Sequence, residues 1–199
     1  MVSSRLKKQF QRIIVTGVRP LAKIGVTPNM VTILGVIAST GSCYLYTSWR
    51  EAHSSLFYAG ILVLLSGFLD AIDGVLARIT GKVSQFGGFF DSVADRYSDA
   101  IVLAGIIVSG LVHPLIGFSA LICSLMVSYA RSRAEAEGIN MSGVGIAERA
   151  ERMILIAITS FASAYKLELM NWGIAALAFL AQVTVVQRAW HFYKESRRK

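Results

Sequence analysis

Histidine and cysteine are nearly missing: 199 residues contain three of the first and two of the second. Cys43 and Cys123 fall in separate apolar stretches without metal-ligand spacing, which argues against a disulfide framework and leaves them as packing residues. Charge is scarce as well. Only 16% of residues are Asp, Glu, Lys or Arg, where a soluble domain has about 25%. With three prolines and 54% hydrophobic residues, this balance indicates an all-α polytopic membrane protein. At roughly 20 residues per crossing, the length allows five or six helices and excludes a separate soluble catalytic domain.

What charge there is has one dominant sign, 20 Lys and Arg against 12 Asp and Glu. The basic residues flank apolar segments and do not form a polar module, so anionic lipid headgroups or phosphorylated substrates are expected as partners, and nucleic acid is not. At the N-terminus, the uncharged stretch Ile13 to Val18 is shorter than the ~7 residues of a signal-peptide core, so no cleaved signal is expected.

Residues 1–28 place Leu6, Phe10, Ile13, Ile14 and Val18 near helical spacing among basic residues, the pattern of an amphipathic helix lying in the membrane interface. "TPN" at Thr27 to Asn29 breaks it and caps the next helix. Residues 29–199 then form one transmembrane domain. Six spans are expected at about 30–49, 56–79, 86–112, 115–134, 147–166 and 169–192. Both termini and the second and fourth connections then share one side, which collects 17 of the 20 Lys and Arg residues. By the positive-inside rule that side is cytoplasmic.

Against this background, Asp70, Asp73, Asp91, Asp95 and Asp99 lie inside apolar segments, where an unpartnered carboxylate is costly. Asp70, Asp73, Gly74 and Ala77 share one helix face, and so do Gly87, Asp91 and Asp95. Small residues let such stripes approach across a helix pair, and a divalent cation relieves the repulsion between them. An all-oxygen ligand set selects Mg²⁺ or Mn²⁺. Spacing alone also fits an ion pathway through a transporter, or structural pairing with Arg78 or Arg96.

Together these positions read Asp70-x2-Asp73-Gly74-x2-Ala77-Arg78-x8-Gly87-x3-Asp91-x3-Asp95. This resembles the signature of the CDP-alcohol phosphatidyltransferase family at all eight fixed positions. The resemblance implies that Asp70, Asp73, Asp91 and Asp95 hold a two-metal centre, with Asp95 also the base that deprotonates the acceptor alcohol. It implies that Asp70, Asp73, Gly74, Ala77, Arg78, Lys82 and Ser84 meet the CDP-lipid. A homodimer is the family's usual state. Asp99 lies outside the pattern and is expected to pair with Arg96.

The acceptor must be read from other residues. "SYARSRAEAEG", "GIAERAERMIL" and "VVQR" resemble the matching segments of phosphatidylinositol-phosphate and archaetidylinositol-phosphate synthases. By that resemblance Ser128, Arg131, Arg133, Arg149, Arg152 and Arg188 would bind inositol 1-phosphate, and the product would be a membrane phospholipid. Within the family the alternative is phosphatidylglycerophosphate synthase, which uses glycerol 3-phosphate. The alternative from another class is an ion-coupled transporter. The bland reading of the arginines is a cationic rim, with Glu148 and Arg152 as an i, i+4 pair.

Overall fold

The computed structural model describes residues 24–197 together with Val18 and Pro20. The expected interfacial helix over 1–28 therefore lies largely outside the described residues. From Pro28 onward the described residues form six helices, in order α1 (Pro28–Thr47), α2 (Ser54–Thr80), α3 (Gln85–Val108), α4 (Pro114–Ala136), α5 (Arg149–Ser163) and α6 (Glu168–Ser196). The fold is all-α among the described residues. Four of the helices, α1, α2, α4 and α6, are long and apolar enough to cross a membrane. Large apolar side chains such as Ile37, Leu64, Ile122 and Phe179 stay exposed along them, as a lipid-facing surface requires.

Local chemistry sets the helix ends. Thr27 caps α1, its Oγ1 accepting from the Met30 N–H, and Pro28 occupies the first turn. Gly81, at φ +66°, ends α2 in the left-handed conformation, and the Lys82 N–H returns to the Ala77 carbonyl at 3.0 Å. Ser84 then caps α3, accepting from the Gly87 N–H at 3.0 Å. The chain thus reverses within four residues, placing the end of α2 and the start of α3 side by side. The third span stops at Val108, short of the expected 112, because Gly110 turns to φ +74°.

The helices close into a ring in the order α1, α2, α5, α6, α4, α3. Small residues allow the close approaches. A Cβ on Gly105 of α3 would stand 2.8 Å from the Cys43 Cα of α1, and one on Gly67 of α2 would stand 3.0 Å from the Met153 Sδ of α5. Buried hydroxyls add interhelical hydrogen bonds, Ser39 to Ser66 at 2.8 Å and Tyr46 to Ser160. The main apolar core, including Tyr46, Leu56, Val63, Leu103, Ile106, Met170 and Ile174, draws on all six helices toward the ends away from the signature acids. Both cysteines are free.

The expected approach of α2 and α3 takes a different form. Their backbones touch sparingly, since each packs chiefly on α1 and on a helix further round the ring. Only their carboxylates converge. Like charges on long helices gain nothing from full-length contact, and the gap between the two helices is cleft.

Candidate active site

Asp70 of α2 meets Asp91 and Asp95 of α3, with one oxygen from each within 4.8 Å of the others. Asp73, one turn beyond Asp70, is 4% exposed, and its Oδ2 accepts from the Thr32 hydroxyl of α1 at 2.6 Å. Three separate helices therefore hold the acids in place. Asp91 Oδ1 is buried without a hydrogen-bond partner, an arrangement that costs free energy unless another ligand completes it. Oxygen donors alone and an orphaned carboxylate oxygen fit a hard divalent cation held by Asp70, Asp91 and Asp95. Asp73 lies against this cluster but outside it.

Two clefts open on either side and share Asp91. One, of about 320 Å³, is lined by Asp73, Gly74, Ala77, Arg78, Lys82 and Ser84, and also by Pro28, Asn29 and Thr32. Glycine here makes space. A Cβ on Gly88 would meet nothing within 4 Å, and one on Gly74 would meet only the Arg78 guanidinium. Neither glycine packs against a neighbouring helix, so the packing explanation fails for both. The contribution of α1 had no sequence signal beyond the cap at Thr27.

The other cleft, of about 410 Å³, is lined by Asp91, Asp95, Ser128, Arg131, Arg149, Arg152 and Arg188, with Glu135 and Glu148 among them. Arg131 also pairs with Glu135 at 2.9 Å. Arg133 is not brought there. It pairs with Glu137 at 2.5 Å on an exposed face, because two residues along a helix turn the side chain about 200° away from Arg131.

Arg149 stands where the clefts meet the acids. Its NH1 lies 2.7 Å from Asp70 and 3.0 Å from Asp95, yet has no aligned hydrogen bond to either, while its Nε donates to Asp99 at 3.3 Å. Asp99 also accepts from Arg152 NH2 at 2.7 Å. The expected Asp99–Arg96 pair is absent: Arg96 NH1 turns back to the Ser92 carbonyl at 2.7 Å and lies 3.8 Å from Asp95. Nor do Glu148 and Arg152 form the i, i+4 pair. Arg152, 3% exposed, donates to Asp99 and to the Ala147 carbonyl, and Glu148 faces Arg188 at 3.6 Å.

Arg188 is 2% exposed and braced by carbonyls, donating through Nε to Val144 and through NH1 to Val127. It ties the end of α6 to α4 and to the connection before α5. These guanidinium groups give the second cleft a fixed cationic wall facing Asp95, suited to a phosphate-bearing acceptor.

Known proteins share this fold. The chain is 42% identical over 193 residues to the archaetidylinositol phosphate synthase of Pyrococcus horikoshii, covering 97% of this chain and 95% of the relative. The structure of Mycobacterium tuberculosis phosphatidylinositol phosphate synthase with CDP-DAG bound superposes with a TM-score of 0.78 at 30% identity, over 92% of this chain and 94% of that one. The same enzyme in complex with manganese and citrate gives a TM-score of 0.76 at 30% identity, covering 90% and 88%. The family model for CDP-alcohol phosphatidyltransferases matches residues 25–186, and the chain belongs to that family.

Proposed function

We propose that the protein transfers an archaetidyl or phosphatidyl group from a CDP-linked lipid to myo-inositol 1-phosphate and releases CMP. The observation that carries this reading is the pair of clefts meeting at Asp91, one lined by the nucleotide part of the family motif and the other by arginines. The relatives' names, archaetidylinositol and phosphatidylinositol phosphate synthase, support the acceptor.

In this reading Gly74 and Ala77 leave room for the nucleotide, and Arg78, Lys82 and Ser84 meet its phosphates and sugar. Asp95 faces the second cleft and takes the proton from the inositol hydroxyl as that oxygen attacks the lipid-bearing phosphorus. The bond from this phosphorus to the CMP oxygen breaks, and CMP leaves with the bonding pair. Ser128, Arg131, Arg149, Arg152 and Arg188 hold the acceptor, with Arg133 outside the cleft. Asp70, Asp91 and Asp95, joined by Asp73, would hold two divalent ions, Mg²⁺ or Mn²⁺. Bound there, such ions neutralise the diphosphate and favour the leaving group.

In the membrane, all six helices cross, and the clefts open on the cytoplasmic side with both termini. The basic residues crowding that end of the bundle support this orientation. The protein works as a homodimer.

Purified protein with Mg²⁺ and either CDP-archaeol or CDP-diacylglycerol should release CMP when inositol 1-phosphate is added, and not with glycerol 3-phosphate. Release with glycerol 3-phosphate alone would replace this reading by phosphatidylglycerophosphate synthesis. Absence of release with every acceptor would favour ion-coupled transport.

A further inference from the structure

Asp91, Asp95 and Asp99 lie at i, i+4 and i+8 on one face of α3, yet the structure divides them. The first two join Asp70 in the acidic cluster, and Asp99 turns both of its oxygens to the first turn of α5. Arg152 is buried there, donating to Asp99 and to the Ala147 carbonyl.

Arg149 is placed differently. A guanidinium beside two carboxylates ordinarily forms a parallel two-bond fork with one of them. Here NH1 is within 3.0 Å of both Asp70 and Asp95 and aligned with neither. The aligned bond goes from Nε to Asp99. Because the guanidinium is planar and rigid, fixing its Nε edge fixes the direction of its other two nitrogens. Asp99 therefore sets the direction in which Arg149 presents its other nitrogens between the acids and the acceptor cleft.

We propose that Asp99 is a positioning residue that acts through Arg149, fixing the orientation in which that cation lines the acceptor cleft. The inference rests on the transferase reading above and extends it to a residue outside the family motif. An amide at position 99 cannot serve two cations, since its NH₂ group would point a donor at one of them. Arg149 would then lose the bond that fixes its Nε edge, and the acceptor would lose one charge-assisted contact.

The test is a kinetic comparison of Asp99→Asn with wild type, in which the KM for each substrate is measured separately. The KM for inositol 1-phosphate should rise about tenfold or more, the factor that goes with a charge-assisted hydrogen bond, while the KM for CDP-lipid stays within about twofold. In an Arg149→Lys background the same change should add little, because the group it positions is already altered. Should Asp99→Asn fold poorly, Asp99→Glu keeps the charge, moves the carboxylate by one methylene and should show the same split. Additive effects in the Arg149→Lys background, or an equal rise in both KM values, would overturn the proposal. So would a loss of thermal stability with both KM values unchanged. Calorimetric binding of inositol 1-phosphate to wild type separates the two levels. Binding that is strong in wild type and unchanged in Asp99→Asn sinks the positioning role alone, whereas absence of binding to wild type removes the acceptor reading and this inference with it.

Discussion

Thr32 on α1 donates a 2.6 Å hydrogen bond to Asp73 on α2, and both side chains are withdrawn from solvent. The hydroxyl oxygen also lies 3.1 Å from the Pro28 carbonyl, but it carries one proton, and the shorter contact to a carboxylate takes it. The aspartate most deeply buried in the motif is thus fixed by a helix that contributes none of the motif's residues. Thr32→Val keeps the shape and removes the donor. CDP-lipid affinity should fall about five- to tenfold with a smaller change in kcat, and Thr32→Ser should restore it. Titration of CDP-lipid binding against all three proteins checks this.

Asp95→Asn should reduce CMP release below detection while largely sparing CDP-lipid binding, because an amide accepts no proton at neutral pH. Asp91→Asn should instead weaken the Mg²⁺ dependence itself, since Asp91 borders both clefts and carries the orphaned oxygen. Equal loss of CDP-lipid binding in the Asp95 variant would contradict its role as base. Chelation by EDTA should abolish turnover, with Mg²⁺ or Mn²⁺ restoring it and Zn²⁺ failing to do so.

Arg188→Ala should lower stability as well as acceptor affinity. The substitution strips the Val127 and Val144 carbonyls of their donor and leaves Glu148 facing no cation at that position. A loss of about 2 kcal/mol or more is expected alongside a raised acceptor KM. A raised KM with an unchanged melting temperature would make Arg188 a pure ligand.

Gly105→Ala should destabilise the bundle without touching the chemistry. The added methyl would press on the backbone Cα of Cys43, which cannot rotate away, so α1 and α3 must part. Overpacking of this kind costs about 1–3 kcal/mol, and thermal unfolding in detergent with substrate KM values unchanged is the expected pattern.

The helices were legible in the sequence because each apolar run is bounded by a local stop such as Thr27, Gly81 or Ser84, whose effect needs no distant partner. The first cleft was legible only where the family pattern runs, on two helices joined by one short turn, and its Pro28, Asn29 and Thr32 side on α1 was not. Pairing across the ring was not. Asp99 finds Arg149 and Arg152 about fifty positions away, and the local guess of Arg96 loses to a backbone carbonyl on its own helix. Arg133 shows the opposite case. Helical geometry separates it from Arg131 by more than half a turn, so its absence from the cleft could be read from spacing once α4 was accepted as continuous.

Ring order differs from chain order, and this affects how the protein is made. α2 lies next to α5, so the cation nearest Asp70 and Asp95 arrives on a segment synthesised well after both of them. A nascent chain ending at α4 carries its acids without Arg149, and burying unpaired carboxylates in lipid is unfavourable. Addition of α5 therefore supplies the missing cation, and α6 then closes the ring between α5 and α4. The acidic cluster and the closed helix ring are both completed late in biogenesis.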